Sequence, residues 1–132
     1  MRSYVLGFAF DSNDRCVLID RNKDDWQQGR INGLGGSIEE GETAISAMMR
    51  EFREECGVET ASFDWRYILT VCNPEWKIAV FKGQIDESVT LSNCEEGDVF
   101  WAASPPPRMD PTALWLYWLC RDGSLAGFNI YQ

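Results

Sequence analysis

Three glutamates, Glu51, Glu54 and Glu55, stand at i, i+3 and i+4, a spacing that groups side chains on one side of an α-helix. Like charges so close repel one another, so a helix gains nothing by collecting them. A solvated acidic face is the plain explanation, yet the surroundings ask for more. Arg50 immediately precedes the group, Gly57 follows it, and Gly33, Gly35, Gly36 and Glu42 lie upstream. Hard carboxylate oxygens aimed from a rigid helix at a glycine-rich loop suit Mg²⁺ or Mn²⁺, with room left for water and phosphate. There is no histidine among the 132 residues, which removes a His base, a Ser–His triad and His-ligated zinc. A general base would then be a carboxylate, unless metal-bound hydroxide suffices, and Glu51 and Glu54 are candidates.

The glutamates need a helix to carry them, and the spacing predicts one from Glu42-Thr43 to Cys56, with Gly57 as its C-terminal cap. At about 100° per residue, Ile45, Met48, Met49, Phe52 and Cys56 fall in one narrow apolar stripe, away from the glutamates. Ahead of the helix, Tyr4 to Phe10 and Cys16 to Asp20 read as a hairpin around Asp11-Ser12-Asn13-Asp14. Arg21 to Arg30 is a polar loop, and the glycines after it mark a segment that needs a tight backbone. Beyond the helix, Phe63 to Cys72 and Trp76 to Ile85 form two strands joined by Asn73-Pro74-Glu75. Asp98 to Ala102 is a short strand, ended by Pro105-Pro106-Pro107 as a stiff link. Pro111 begins a second helix to roughly Arg121, whose Trp115 and Trp118 pack in the core. Asp122-Gly123 then turns the chain into a last strand, Ala126 to Tyr131. Strands before, between and after two helices make a mixed α/β class with a mixed sheet.

Residues 1–132 have the length of a single domain, and 45% hydrophobic with 25% charged residues is an ordinary globular balance. Twelve Lys plus Arg against twenty-one Asp plus Glu give −9, which argues against a sequence-independent grip on a nucleic acid polymer. The excess is local: Glu39 to Glu59 holds seven glutamates against Arg50 and Arg53 alone. Five cysteines, an odd number without a C-x-x-C pair, suit reduced thiols in a cytoplasmic protein. The N-terminal apolar run lacks the features of a signal peptide, and Ala113 to Cys120 is too short to span a bilayer, so no membrane partner is expected.

Gly36 to Glu42, continuing through Arg50-Glu51-Phe52-Arg53-Glu54-Glu55-Cys56-Gly57-Val58, resembles the Nudix box, G-x5-E-x7-R-E-U-x-E-E-x-G-U, where U is bulky and aliphatic. All the fixed Gly, Glu and Arg positions match; Phe52 is aromatic where an aliphatic residue is usual. The resemblance covers 23 of 132 residues, and the order of the flanking elements fits a Nudix α/β/α sandwich with a mixed β-sheet. It implies hydrolysis of a nucleoside diphosphate linked to a group X, with two or three Mg²⁺ (or Mn²⁺) ions joining the substrate. On that resemblance Glu51, Glu54 and Glu55 ligate metal together with the Gly35 carbonyl, and Arg50 holds the glutamates in place with Glu42 as its partner. Glu96, before the Val99-Phe100-Trp101 strand, stands where several family members carry an additional glutamate that serves as ligand or base. Homodimers are frequent in the family.

The nature of X must come from outside the box. Arg30-Ile31-Asn32-Gly33-Leu34-Gly35-Gly36 is similar to the loop before the box in enzymes that clear oxidised purine nucleoside triphosphates, where an asparagine at the Asn32 position contacts the purine. An amide both donates and accepts on a base edge, although Asn32 could equally serve a glycine-rich turn. The same comparison puts Asp110 near the purine, without the second adjacent aspartate some of those enzymes carry. Trp26 or Trp115 could stack on a base, and Arg21, Lys23 and Arg30 suit triphosphate oxygens. A nucleoside or deoxynucleoside triphosphate is therefore expected, cleaved to the monophosphate and pyrophosphate. ADP-ribose is the rival, since Pro74 lies sixteen residues past Val58 as in that subfamily. The reading from another class is a catalytically silent Nudix module that binds a nucleotide; its sign would be lost box glutamates, and none is lost.

Overall fold

The computed structural model describes residues 1–21 and 30–123. Among the described residues seven strands form one sheet: β1 (Arg2–Phe10), β2 (Cys16–Arg21), β3 (Ile31–Asn32), β4 (Leu34–Ser37), β5 (Trp65–Cys72), β6 (Trp76–Gln84) and β7 (Gly97–Ala102). Two helices, α1 (Ala44–Cys56) and α2 (Pro111–Asp122), complete it. The sheet is mixed, because β1 runs parallel to β6 along its whole length while the other pairs are antiparallel.

β1 and β2 do form the expected hairpin, but they pair only at Ala9–Val17 and Phe10–Cys16 before they part. β3 and β4 fill the opening between them, β3 against β2 and β4 against β1. Asp11 tightens the hairpin turn: its carboxylate accepts from the Asn13 and Arg15 amides, both at 2.9 Å, and from the Arg15 guanidinium at 2.7 Å. The wedge of β3 and β4 brings the glycine-rich segment into the sheet opposite α1.

Alternation along the strands splits the core into two layers, which makes the molecule an α/β/α sandwich. Val5, Ala9, Val17 and Ile19 face α1, where Ala47, Met48, Phe52 and Cys56 are buried. Phe8, Phe10, Cys16 and Leu18 face α2, against Leu116, Tyr117 and Cys120. Phe52, the unusual aromatic, is fully buried edge-on to Trp65, with ring centroids 5.1 Å apart. Trp115 and Trp118 lie half-buried against the α2 layer.

Two sequence readings need adjustment, and the turn at Asn73-Pro74-Glu75 forms as expected. Ser62–Asp64 is a 3₁₀ turn and not the start of a strand; Phe63 there is 88% exposed, and the Asp64 carboxylate caps the Ala61 amide at 2.8 Å. Pro74 sits in the β5–β6 turn, where Asn73 accepts from the Glu75 and Trp76 amides, so a hairpin accounts for it. In the apolar stripe of α1, Ile45 and Met49 are only half-buried, whereas Ala47 is fully buried. Lys23, Trp26 and the expected strand at 126–131 lie outside the described residues. All five cysteines are free thiols, with Cys16, Cys56 and Cys120 buried. Among the described residues no helix is long and apolar enough to cross a membrane.

Candidate active site

Helix α1 starts at Thr43, whose hydroxyl accepts from the Ser46 amide at 3.2 Å, and ends at Gly57 with φ of +80°. That left-handed conformation costs a glycine little, and it lets the Gly57 amide close on the Arg53 carbonyl at 2.8 Å. Held at both ends, the helix presents its glutamates at different depths. Glu55 is 3% exposed, Glu51 is largely covered, and Glu54 reaches solvent.

Arg50 is the hub of the outer half. Its Nε and Nη2 donate to the two Glu42 oxygens at 2.6 and 2.9 Å, a forked pair. Nη1 donates to Glu51 at 2.9 Å and Glu54 at 3.2 Å, and Nη2 also reaches the Ser37 carbonyl at 2.9 Å. The guanidinium holds the Glu42 carboxyl down at about 2. Burial raises Glu51 above the ordinary range, against the pull of Arg50, and its neighbours Glu54 and Glu96 add to the rise.

The inner half is built around Glu55. One oxygen accepts from the Gly35 amide at 2.7 Å, and the other lies 3.2 Å from Arg21 Nη1. The same nitrogen is 3.0 Å from Glu96. Burial pushes the Glu55 carboxyl up to about 8; Arg21 opposes that rise and Glu96 reinforces it. At Glu55 the cost of burying a charge thus outweighs the attraction of Arg21.

The donor set suits a hard divalent cation. Glu51, Glu54, Glu55, Glu95 and Glu96 line one cavity of about 390 Å³, all with oxygen ligands. Gly36 keeps space beside it open, since a Cβ there would lie 2.5 Å from the Glu51 carboxylate. The glycines of this segment thus serve close approach in extended strands, not a left-handed turn. Among the described residues no three acidic or cysteine side chains are yet gathered as a ligand cage. Arg50 draws Glu51 and Glu54 one way, while Arg21 and Gly35 hold Glu55 the other.

A cleft of about 470 Å³ runs from Gly35 and Gly36 past Tyr4, Leu6, Arg21 and Asn32 to Arg2 and Trp76. A second, of about 330 Å³, shares Leu6, Asn32, Trp76 and Ile78 with it and continues to Arg30, Asp110 and Thr112. Asn32 therefore lines both, although its own Oδ1 accepts from the Gly33 amide at 2.7 Å. Asp110 caps α2 through the Ala113 amide at 3.0 Å and pairs with Arg30 at 3.2 Å. Arg21, expected on the substrate, is turned to carboxylates. Trp76, Tyr4 and Arg2 were missed as cleft residues. Their period-2 alternation with Ile78 and Leu6 was the available signal, and the parallel β1–β6 register that sets Arg2 beside Trp76 was not.

A family model described as the NUDIX domain matches residues 1–109. Among solved structures, the chain is similar to a MutT/nudix family protein from Enterococcus faecalis, at 18% identity over 76% of this chain with a TM-score of 0.69. It spans 42% of that longer protein. The NUDIX domain of Shewanella oneidensis NrtR complexed with ADP ribose aligns at 17% identity and TM-score 0.75, covering 92% of this chain and 86% of that one. The dihydroneopterin triphosphate pyrophosphohydrolase of E. coli aligns at 17% identity and TM-score 0.73, covering 92% and 96%. At these identities the likeness is one of fold.

Proposed function

Because the chain belongs to the NUDIX domain family, we propose that its carboxylate site hydrolyses the pyrophosphate bond of a nucleoside diphosphate linked to another group. The preferred substrate is a nucleoside or deoxynucleoside triphosphate, oxidised purines included, cleaved to the monophosphate and pyrophosphate. The observation that carries this is continuity. Gly35 and Gly36, which line one end of the groove, lie against Glu55 and Glu51 of the carboxylate helix, and the other end offers an amide, an indole and an Arg–Asp pair.

Glu51, Glu54, Glu55 and the Gly35 carbonyl would hold Mg²⁺ or Mn²⁺, which when bound would neutralise the pyrophosphate oxygens and acidify water. The chain's own residues do the rest. Arg50, fixed by Glu42 and the Ser37 carbonyl, orients Glu51 and Glu54. The attacking water gives its proton to a carboxylate, for which Glu51, Glu54 and Glu96 all line the same cavity. Asn32 and Trp76 face the shared stretch of groove, where an amide reads a base edge and an indole stacks on its face. Phosphate oxygens extend toward Gly36.

ADP-ribose is the second reading, favoured by the fold likeness to a NUDIX domain solved with that ligand. The test is a side-by-side panel of dGTP, 8-oxo-dGTP, dCTP, ADP-ribose and a dinucleoside polyphosphate, with Mg²⁺ and with EDTA. A triphosphate with the highest kcat/KM supports the first reading. Preference for ADP-ribose replaces it, and binding without turnover would make the chain a silent nucleotide module.

A further inference from the structure

Arg21 ends β2, paired with Gly97 of β7, and this register delivers Glu96, the preceding residue, to its guanidinium. One nitrogen, Nη1, serves two acids, Glu55 at 3.2 Å and Glu96 at 3.0 Å. The arginine side chain is 13% exposed and that of Glu55 3%. Arg21 Nε is buried with no hydrogen-bond partner among the described residues, so the two carboxylates, and not a full set of acceptors, hold the group where it is. Its position is a partition. Arg21 lines the 470 Å³ cleft, whereas Glu55 and Glu96 line the 390 Å³ carboxylate cavity.

Glu55 is almost fully covered and Glu96 is partly exposed, and a carboxylate covered to that degree calls for a positive charge beside it. We propose that Arg21 is the resident counter-cation of this site: it holds Glu55 and Glu96 in the cation-free protein and competes with a divalent ion for them. It is a positioning residue, and the inference rests on the metal-dependent reading of the carboxylate cavity. Removing it leaves the covered Glu55 without its arginine, which weakens the cation-free fold and strengthens the pull on Mg²⁺. A residue that only contacts substrate would change neither quantity in the absence of substrate. A purely structural residue would weaken the fold without sharpening the response to Mg²⁺.

The experiment is thermal unfolding of the wild type, Arg21→Gln and Arg21→Lys, without nucleotide, in EDTA and across a MgCl₂ titration. Arg21→Gln is expected to melt below the wild type in EDTA, to recover most of the difference in MgCl₂, and to half-saturate at about tenfold lower MgCl₂, the scale on which one adjacent opposite charge alters a carboxylate. Arg21→Lys, which keeps the charge but not the fork, shifts half-saturation the same way by less, and it decides the matter should Arg21→Gln not fold. An unchanged melting point in EDTA for Arg21→Gln overturns the inference, as does an unchanged or higher half-saturation for either variant. If MgCl₂ stabilises the wild type but the variants titrate like it, only the role of Arg21 falls. If MgCl₂ stabilises none of the three, the metal reading falls with it.

Discussion

Glu42 and Arg50, eight residues apart, are joined by two hydrogen bonds of 2.6 and 2.9 Å that tie the loop before α1 to the middle of the helix. The fork leaves Nη1 to hold Glu51 and Glu54, so the pair fixes the position of two carboxylates. Arg50→Lys keeps the charge and loses the fork. It is expected to cost about 10- to 100-fold in kcat, as loss of a supporting hydrogen bond around a metal site does. Glu42→Gln should follow it in milder form. Steady-state rates together with far-UV circular dichroism check this, and full activity in Arg50→Lys would deny Arg50 its orienting role.

Gly36→Ala tests the space beside Glu51. The added methyl would sit 2.5 Å from the carboxylate, while the backbone there has no positive φ to protect. The fold should survive and Glu51 should move, at a cost on the order of 10²-fold in kcat. A folded Gly36→Ala with normal turnover would show that Glu51 need not stand where it does.

The buried Glu55 sets a pH dependence in the protein freed of cations. Its carboxyl lies at about 8 in the folded state, raised by burial, against an unfolded value of about 4.3. Between those values the folded state binds more protons than the unfolded one. Stability in EDTA should therefore fall as pH rises from about 5 to about 9, and the slope should flatten in Glu55→Gln. Melting curves across that range are the check. A wild type whose melting point climbs through this window, with the same climb in Glu55→Gln, would contradict it.

Trp76 separates binding from chemistry. If its ring stacks on the base, Trp76→Ala should raise KM by roughly tenfold with little change in kcat, since a stacked base is worth about 1–3 kcal/mol. Trp76→Phe should recover most of the loss. An unmoved KM in Trp76→Ala would place the base elsewhere in the groove.

Much of this was legible in the sequence because it is local. Helix α1 announces itself by period, by Thr43 at its start and by Gly57 at its end, and the box residues follow from their spacing. What failed was long-range. Spacing groups Glu51, Glu54 and Glu55 on one side of the helix, but only the wedge of β3 and β4 decides that Glu55 is covered and Glu54 is not. Arg21 looked like a phosphate contact because nothing local links it to Glu96; the β2–β7 register does that. Trp76 sits after an obvious turn, yet its place in the cleft depends on the parallel β1–β6 pairing, which no short-range signal carries.

Whether the glutamates of α1 run a metal-dependent hydrolysis is decided by ³¹P NMR of the products formed from the best nucleotide of the panel, by the wild type and by Glu54→Gln, in Mg²⁺ and in EDTA. The wild type in Mg²⁺ alone should yield a nucleoside monophosphate and a second phosphate product, with loss of both products in EDTA and in folded Glu54→Gln. No turnover of any nucleotide by the wild type, or product release by Glu54→Gln at the wild-type rate, would refute a glutamate-borne, metal-dependent reaction.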